Sequence, residues 1–222
     1  MDITQTIALA LIQGLTEFLP VSSSAHLVIL PKFLDWPDQG LAFDVVLHFA
    51  TLCAIVYYYR LTLVEMSKDF ACSIVTRKMQ GQSMLAWAVL LGTIPVGLTG
   101  LFFKDSIELN LRSYEVVAFA TIFFGFLLGF SDWLHRFLGR SREFIRSSDI
   151  LIVGLFQALA LIPGTSRSGI TITAALLIGL SRSLSIKYAF LLSIPVIALA
   201  TLLKTFDLVN EINQVDWTLL LI

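Results

Sequence analysis

Two polar stretches interrupt apolar sequence and hold most of the groups in this chain able to do chemistry: PVSSSAH, from Pro20 to His26, and PGTSRSG, from Pro163 to Gly169. Gln13 and Glu17 precede the first stretch four residues apart, which sets both on one face of a helix that Pro20 ends. Ser22, Ser23 and Ser24 then supply N-cap residues for a new helix, whose free amides and positive dipole end suit an anion. His26 follows Ser23 by three residues and lies on the same side, within reach of whatever Ser23 touches. The second stretch repeats the design with Thr165, Ser166 and Ser168 around a helix start. It adds Arg167, a planar donor suited to phosphate oxygens, and Thr171 four residues further along the same face. Two helix starts, an arginine and a row of hydroxyls describe a phosphate site. Glu17 would repel that phosphate unless a divalent cation stood between them. With Gln13 as a second oxygen ligand, Mg2+ is the usual choice for one or two protein oxygens plus phosphate.

Composition decides where this chemistry sits. The 222 residues are 57% hydrophobic and 14% charged, with a mean hydropathy of +0.85, so the chain reads as an all-α polytopic membrane protein. Runs long enough to cross about 30 Å of hydrocarbon lie near 42–59, 84–103, 114–132 and 188–204, and another begins near Trp217. That last run stops at Ile222, and a C-terminal portion is expected beyond it. No Lys or Arg precedes Lys32, and Glu17 interrupts the first apolar stretch, so a cleaved secretory signal is not expected. A net charge of −1 gives no reason to expect nucleic acid as a partner. Cys53 in a span and Cys72 in a loop form neither a disulfide framework nor a zinc site.

Inside spans, ionisable groups are functional by default, which favours Glu17 and Arg167 as site residues. Ser22 and Ser24 join the candidate phosphate-binding hydroxyls, although capping alone would account for them. Asp44 and His48, also four apart, read as interfacial residues at the opening of a span rather than members of the site.

Positive charge orients the chain. Arg60, Lys68, Arg77 and Lys78 crowd one inter-span loop and Arg136, Arg140, Arg142 and Arg146 another, so both loops are expected on the cytoplasmic side and to need no further explanation. Between them, Lys104 and Arg112 are offset by Asp105 and Glu108, as suits the outer side, and the loop with Lys32, Asp35 and Asp38 falls outside as well. Arg182 and Lys187 read as inside, so residues 149–179 leave and return to the cytoplasmic face, as a re-entrant helix pair broken at Pro163-Gly164 does. Residues 1–30, broken at Pro20, do the same from the outer face. Aligning Pro20 with Pro163 matches Ser23 with Ser166. Three crossings per unit make the second unit inverted, with repeat one at 1–132 and an incomplete repeat two at 149–222, all in one integral membrane domain at 1–222.

QGLTEFLPVSSSAH and PGTSRSGITIT, with GLSR (Gly179 to Arg182) and FLLSIP (Phe190 to Pro195), resemble the undecaprenyl-diphosphate phosphatase family, also called the bacitracin-resistance family, over essentially the whole chain. The resemblance implies six spans and two re-entrant pairs, of which the last one or two spans are truncated or absent here. It also implies a multi-pass protein of the bacterial inner membrane that hydrolyses undecaprenyl diphosphate and recycles the lipid carrier of envelope polymers. Gln13 and Glu17 match its (Glu/Gln)-x-x-x-Glu motif, Ser23 and His26 its serine and histidine, Arg167 its arginine, and Thr171 its threonine. Gln13 stands where many members carry Glu, and Ala25 where many carry Gly.

The expected mechanism has Mg2+ or Ca2+ near Glu17, Arg167 neutralising the terminal phosphoryl group, and Ser23 as nucleophile with His26 as its base. Attack by His26, or by water activated by Glu17, is the alternative. The expected partners are a polyprenyl diphosphate lipid and the bilayer, with the site opening to the outer face; a homodimer is neither required nor forbidden. The rival class is a secondary transporter or flippase of prenyl phosphates, which needs anion ligands but no nucleophile with a base.

Overall fold

The computed structural model describes residues 2–37, 39–111 and 113–210. The span expected from Trp217, Asp38, Arg112 and the side chains of Lys104, Asp105 and Glu108 lie outside what is described. In order, the helices are α1 (Ile3–Thr16), α2 (Ser23–Phe33), α3 (Gly40–Tyr58), α4 (Arg60–Thr76), α5 (Ser83–Asn110), α6 (Tyr114–Leu138), α7 (Ser147–Ala158), α8 (Arg167–Leu177) and α9 (Arg182–Asn210). A short 3-10 turn, Leu159–Leu161, extends α7. Among the described residues the secondary structure is helical apart from one isolated bridge, and helices satisfy their own backbone groups where lipid offers no partner.

Among the described residues, three helical stretches are long and apolar enough to cross a membrane: Ser83–Phe103, Tyr114–Leu138 and Arg182–Phe206. The run expected as a single span at 42–59 behaves differently. It continues through α4 after a bend of 74° at Tyr59, and the two helices pass the same test only as a pair. The segment expected as a cytoplasmic loop is thus largely helix, and Cys72 sits in α4 rather than in a loop. Its charged residues hid a helix that closes with Arg77 in the left-handed conformation, φ +56°.

Both polar stretches break helices. The chain leaves α1 at Glu17, turns through Pro20 and restarts at Ser23; it leaves the turn after α7 at Ile162 and restarts at Arg167. The two restarts match in detail. The Ser22 hydroxyl caps α2 by accepting from the Ala25 amide at 3.3 Å and pairs with Ser24 Oγ at 3.1 Å. The Ser166 hydroxyl caps α8 by accepting from the Gly169 amide at 3.1 Å and pairs with Ser168 Oγ at 3.2 Å. Both helices are 11 residues long. This correspondence sets Ser22 against Ser166, not Ser23 as the proline alignment does. The turn after Pro163 carries one more residue, so Ser23 and Arg167 share the first helical position.

The extra residue is accommodated by Gly164, at φ +93°, where an added Cβ would lie 2.3 Å from the Val117 carbonyl oxygen of α6. Thr121 of α6 donates to the Gly164 carbonyl at 3.0 Å, holding the turn against α6. The first turn is held by the second: Ser168 Oγ donates to the Leu19 carbonyl at 3.0 Å, and an added Cβ on Gly169 would sit 3.4 Å from the Pro20 carbonyl oxygen.

Beneath the second turn, α5, α7, α8 and α9 share a core around Ala88, Val153, Ala175, Tyr188, Leu191 and Leu192. Small residues let backbones approach there, since an added Cβ on Gly154 would lie 2.9 Å from the Gly92 carbonyl oxygen. At the end of this core Arg142 does more than bias topology. Its guanidinium grips Asp149 through both carboxylate oxygens, at 2.7 and 3.2 Å, and donates to the Ile178 carbonyl at 2.9 Å. Its backbone bridges Gly179 and Ser181. Arg182 and Arg136 both pair with Asp132. Opposite this core, α1 presents Ile3, Ile7, Leu11 and Leu15 outward, and α6 presents Phe119, Phe126, Trp133 and Phe137, exposed apolar faces suited to lipid as the solvent.

Gly164→Ala is therefore expected to lower the thermal midpoint of the purified protein by roughly 10 °C or more, since the methyl group meets backbone. Gly139→Ala, also at positive φ but with open space around it, should cost only about 1 to 2 kcal/mol. Equal midpoints for the two variants would count against the tight seating of the turn on α6.

Candidate active site

The two restarts meet at one carboxylate. Glu17, its side chain 5% exposed, pairs through Oε1 with the Arg167 guanidinium, 150 residues away in sequence. Through Oε2 it accepts from Ser23 Oγ at 2.6 Å and from Gln13 Nε2 at 3.0 Å. The first residues of α2 and α8 thus converge on the last turn of α1. Gln13 reaches Glu17 because the two are one helical turn apart, and the break at Pro20 folds Ser23 back toward the residue it follows by six positions. Burying a carboxylate here demands partners of this kind, since an unpaired charge at such a depth costs several kcal/mol.

Not every expected residue joins this cluster. His26 is exposed, and its Nδ1 lies 2.7 Å from the Ser22 carbonyl oxygen. A carbonyl only accepts, so Nδ1 carries the hydrogen and Nε2 of the neutral ring keeps a free lone pair. The Ser23 hydroxyl, expected to bond to His26, donates to Glu17 instead. Thr171 is 1% exposed and gives its hydroxyl to the Arg167 and Ser168 carbonyls of its own helix, at 2.8 and 3.0 Å. Ser22, Ser166 and Ser168 are occupied as caps and turn contacts, while Ser24 is exposed beside Ser22.

One residue set aside in the sequence belongs here. His48 of α3 brings Nε2 to 3.8 Å from Glu17 Oε2, with Nδ1 held 2.7 Å from the Asp44 carbonyl oxygen. The Asp44/His48 spacing was the available signal. Nothing local said that α3 packs against the first break rather than facing the membrane surface.

Among the described residues, six buried side-chain polar atoms lack a hydrogen-bond partner, and Gln13 Oε1, Thr165 Oγ1 and Arg167 Nε are three of them. The amide oxygen and the guanidinium N–H belong to the two residues that flank the Glu17 carboxylate, and the Thr165 hydroxyl lies two residues before Arg167. A hard divalent cation would take Gln13 Oε1 and the Glu17 carboxylate as protein oxygens only with the Gln13 amide turned, since its Nε2 donates to Glu17 Oε2, which Ser23 also engages. No group of three or more His, Cys, Asp or Glu able to hold a metal occurs among the described residues, so such an ion would need oxygens from a substrate as well.

The profile of the family described as bacitracin resistance protein BacA matches residues 6–222. The chain belongs to this family. An undecaprenyl-diphosphatase of Vesicomyosocius okutanii is 54% identical over 222 residues, covering 100% of this chain and 84% of that protein. Its counterpart in Ruthia magnifica is 55% identical over 220 residues, with 99% and 83% covered. Undecaprenyl-diphosphatase 2 of Stutzerimonas stutzeri is 55% identical over 220 residues, with 98% and 82% covered. Identity at this level spans both halves of the cluster, so family membership rests on the chain that carries Glu17 as much as on the chain that carries Arg167.

If Glu17 and Arg167 neutralise each other, removing both should cost less than the sum of removing each. Glu17→Gln and Arg167→Gln are each expected to cost about 3 kcal/mol, and the double variant about 2 kcal/mol less than their sum. Thermal or denaturant midpoints of the four proteins measure this, and simple additivity would mean that the pair does not form.

Proposed function

We propose that this protein is an integral membrane phosphatase that hydrolyses undecaprenyl diphosphate to undecaprenyl phosphate and inorganic phosphate, returning the carrier lipid to cell-wall synthesis and conferring bacitracin resistance. The names of its relatives supply the substrate. The observation that carries the reading at the level of chemistry is the Ser23 hydroxyl donating to a carboxylate that also holds Arg167. That arrangement joins a nucleophile, a proton acceptor and a phosphate-matched cation at one point.

The terminal phosphoryl group draws Arg167, which spreads the negative charge that develops on its oxygens. Glu17, released from the guanidinium, is left to the Ser23 hydroxyl and takes its proton as Oγ attacks phosphorus. The bond to the bridging oxygen breaks, and undecaprenyl phosphate leaves. Water then attacks the phosphoserine, giving its proton to His26 Nε2, and inorganic phosphate departs while Ser23 recovers its proton from Glu17. Gln13 holds Glu17 in position throughout, and Thr165 offers a free hydroxyl to the phosphate. Mg2+ or Ca2+ bound by Glu17 and Gln13 would supply further charge neutralisation for the diphosphate. Direct attack by His26 is the second reading, favoured by its exposed ring with a free Nε2.

The architecture proposed for this chemistry is one membrane domain of two inverted repeats, 1–132 and 149–222, each led by a re-entrant helix pair entering from opposite faces. The matched caps of α2 and α8 support it. The site would open to the outer face of the bacterial inner membrane, with the prenyl chain lying in the bilayer beside the exposed apolar side of α2, where Val28, Ile29 and Phe33 point outward. A carrier of prenyl phosphates would have no use for the Ser23–Glu17 contact.

Arg167→Ala and Glu17→Ala are each expected to lower phosphate release from undecaprenyl diphosphate by about 1,000-fold or more without loss of helical circular dichroism. Release at the normal rate from either folded variant would remove the assignment. Rapid acid quenching should trap an acid-stable phosphoenzyme that Ser23→Ala lacks. An acid-labile one that His26→Gln lacks would move the nucleophile to His26.

A further inference from the structure

We infer that the cleft between α5 and α7 is a binding site for one acyl chain of an anionic phospholipid, whose headgroup is held by Lys78 and Arg146. The cleft has a volume of about 430 Å³, within the range of sites that take small apolar ligands. On α5 it is walled by Met84, Trp87, Leu91 and Pro95, spaced three to four residues apart so that they form one stripe. Ile150 and Leu151 of α7 face them. From Met84 to Pro95 the helix rises about 16 Å, close to half of a hydrocarbon core of about 30 Å. The stripe starts beside Ser83, where the span opens, so the cleft is one leaflet deep. It ends where the two helices touch: an added Cβ on Gly154 would lie 3.1 Å from Pro95 Cγ and 2.9 Å from the Gly92 carbonyl oxygen. Leu91 and Leu151 are exposed along its open side, which therefore faces lipid.

The other end is polar and positive. Met79 and Ser147 complete the lining there, and the residues just before them are Lys78 and Arg146, with Arg77 beside Lys78. All three cations are exposed, and none has a carboxylate partner among the described residues. Neighbouring carboxylates are used elsewhere: Asp149 is clamped by Arg142, and Asp69 accepts from the Gln82 amide at 2.7 Å. Long basic side chains at a membrane surface lay their stems on apolar groups and keep the charge at headgroup level, and basic pockets between membrane helices take anionic headgroups.

Topology bias accounts for cations on this side of the membrane but not for an apolar slot, one leaflet deep, that ends beneath them. A phospholipid of net negative charge answers both features. In a zwitterionic lipid the ammonium would offset the phosphate. The slot is also remote from the catalytic cluster, since the 12 residues of α7, about 18 Å of helix, separate Ser147 from the turn that leads to Arg167.

The test places the full chain in vesicles of phosphatidylglycerol and phosphatidylethanolamine, one or the other carrying brominated acyl chains that quench tryptophan on contact. Two single-tryptophan proteins are compared. One keeps Trp87, whose ring is held in the cleft wall by Nε1 donating to Ser73 Oγ at 3.1 Å. The other keeps Trp133, exposed on α6 near Arg136, which is paired with Asp132. Quenching at Trp87 should show a preference for phosphatidylglycerol of about tenfold or more, against about twofold or less at Trp133. A basic residue near an anionic surface contributes about fivefold in affinity, so Lys78→Gln with Arg146→Gln should bring Trp87 down to the Trp133 value. Both side chains are exposed and outside the catalytic cluster, so helical circular dichroism and phosphate release should be unchanged. Equal preferences at the two tryptophans, or a preference at Trp87 that survives the double substitution, overturns the inference. Undecaprenyl phosphate relieving the Trp87 quenching more strongly than unbrominated phosphatidylglycerol would give the cleft to the prenyl chain and overturn it as well.

Discussion

A single buried ion pair, Glu17 with Arg167, sets the terms for the rest of this molecule. Neither charge is tolerable alone in an apolar setting, and each arrives on a different broken helix, so the two breaks must face each other for either to be buried. The caps at Ser22 and Ser166, the Ser168 bond to the first turn, and the close approach of Gly169 to Pro20 all serve that apposition. Buried ion pairs are poor sources of net stability, because desolvation consumes most of the attraction. Retaining one across 150 residues of sequence makes better sense as a requirement of chemistry than of folding.

The two sides of the pair are held unequally. α8 is buried along nearly its whole length, from Ser168 to Leu176, between the α5, α7 and α9 core and α6, and the Arg142–Asp149 clamp fastens its far end. Arg167 therefore projects from a rigid base. α2 is buried only at Ala25, Leu27 and Pro31, and Ser24, His26, Val28 and Ile29 face outward. An amphiphile with a charged head and an apolar tail would meet hydroxyl and imidazole groups with apolar surface on this exposed side before it reached the arginine behind. A rigidly held guanidinium beside a more exposed row of hydroxyl and imidazole groups is the order that the proposed phosphoryl transfer wants.

The sequence exposed those parts of the site that depend on local rules. Breaks follow from Pro20 and Pro163-Gly164, caps from serines ahead of apolar runs, and the Gln13–Glu17 contact from a four-residue spacing, and all three appear in the structure. What escaped depends on contacts between distant elements. The proline alignment misplaced the correspondence by one residue because the longer second turn is absorbed by Gly164 against α6, a helix whose position no local pattern announces. α4 was hidden by its charges, which served a topology argument and obscured a helix. His48 passed for an interfacial residue because its meeting with Glu17 requires knowing that α3 packs on α1. Thr171 looked like a site residue by its spacing from Arg167, yet the same spacing lets its hydroxyl satisfy a carbonyl of its own helix.

The identity of residue 13 follows from the same charge balance. With Gln there, the cluster carries one carboxylate against one guanidinium, and the amide N–H steadies the carboxylate it touches. A second carboxylate at this position would face Glu17 across about 3 Å and require a proton or a cation of its own to stay buried. The amide instead presents a neutral oxygen, Oε1, left without a partner in the protein. Such an oxygen adds no charge to the buried cluster, so Glu17 and Arg167 balance each other without a further counter-charge.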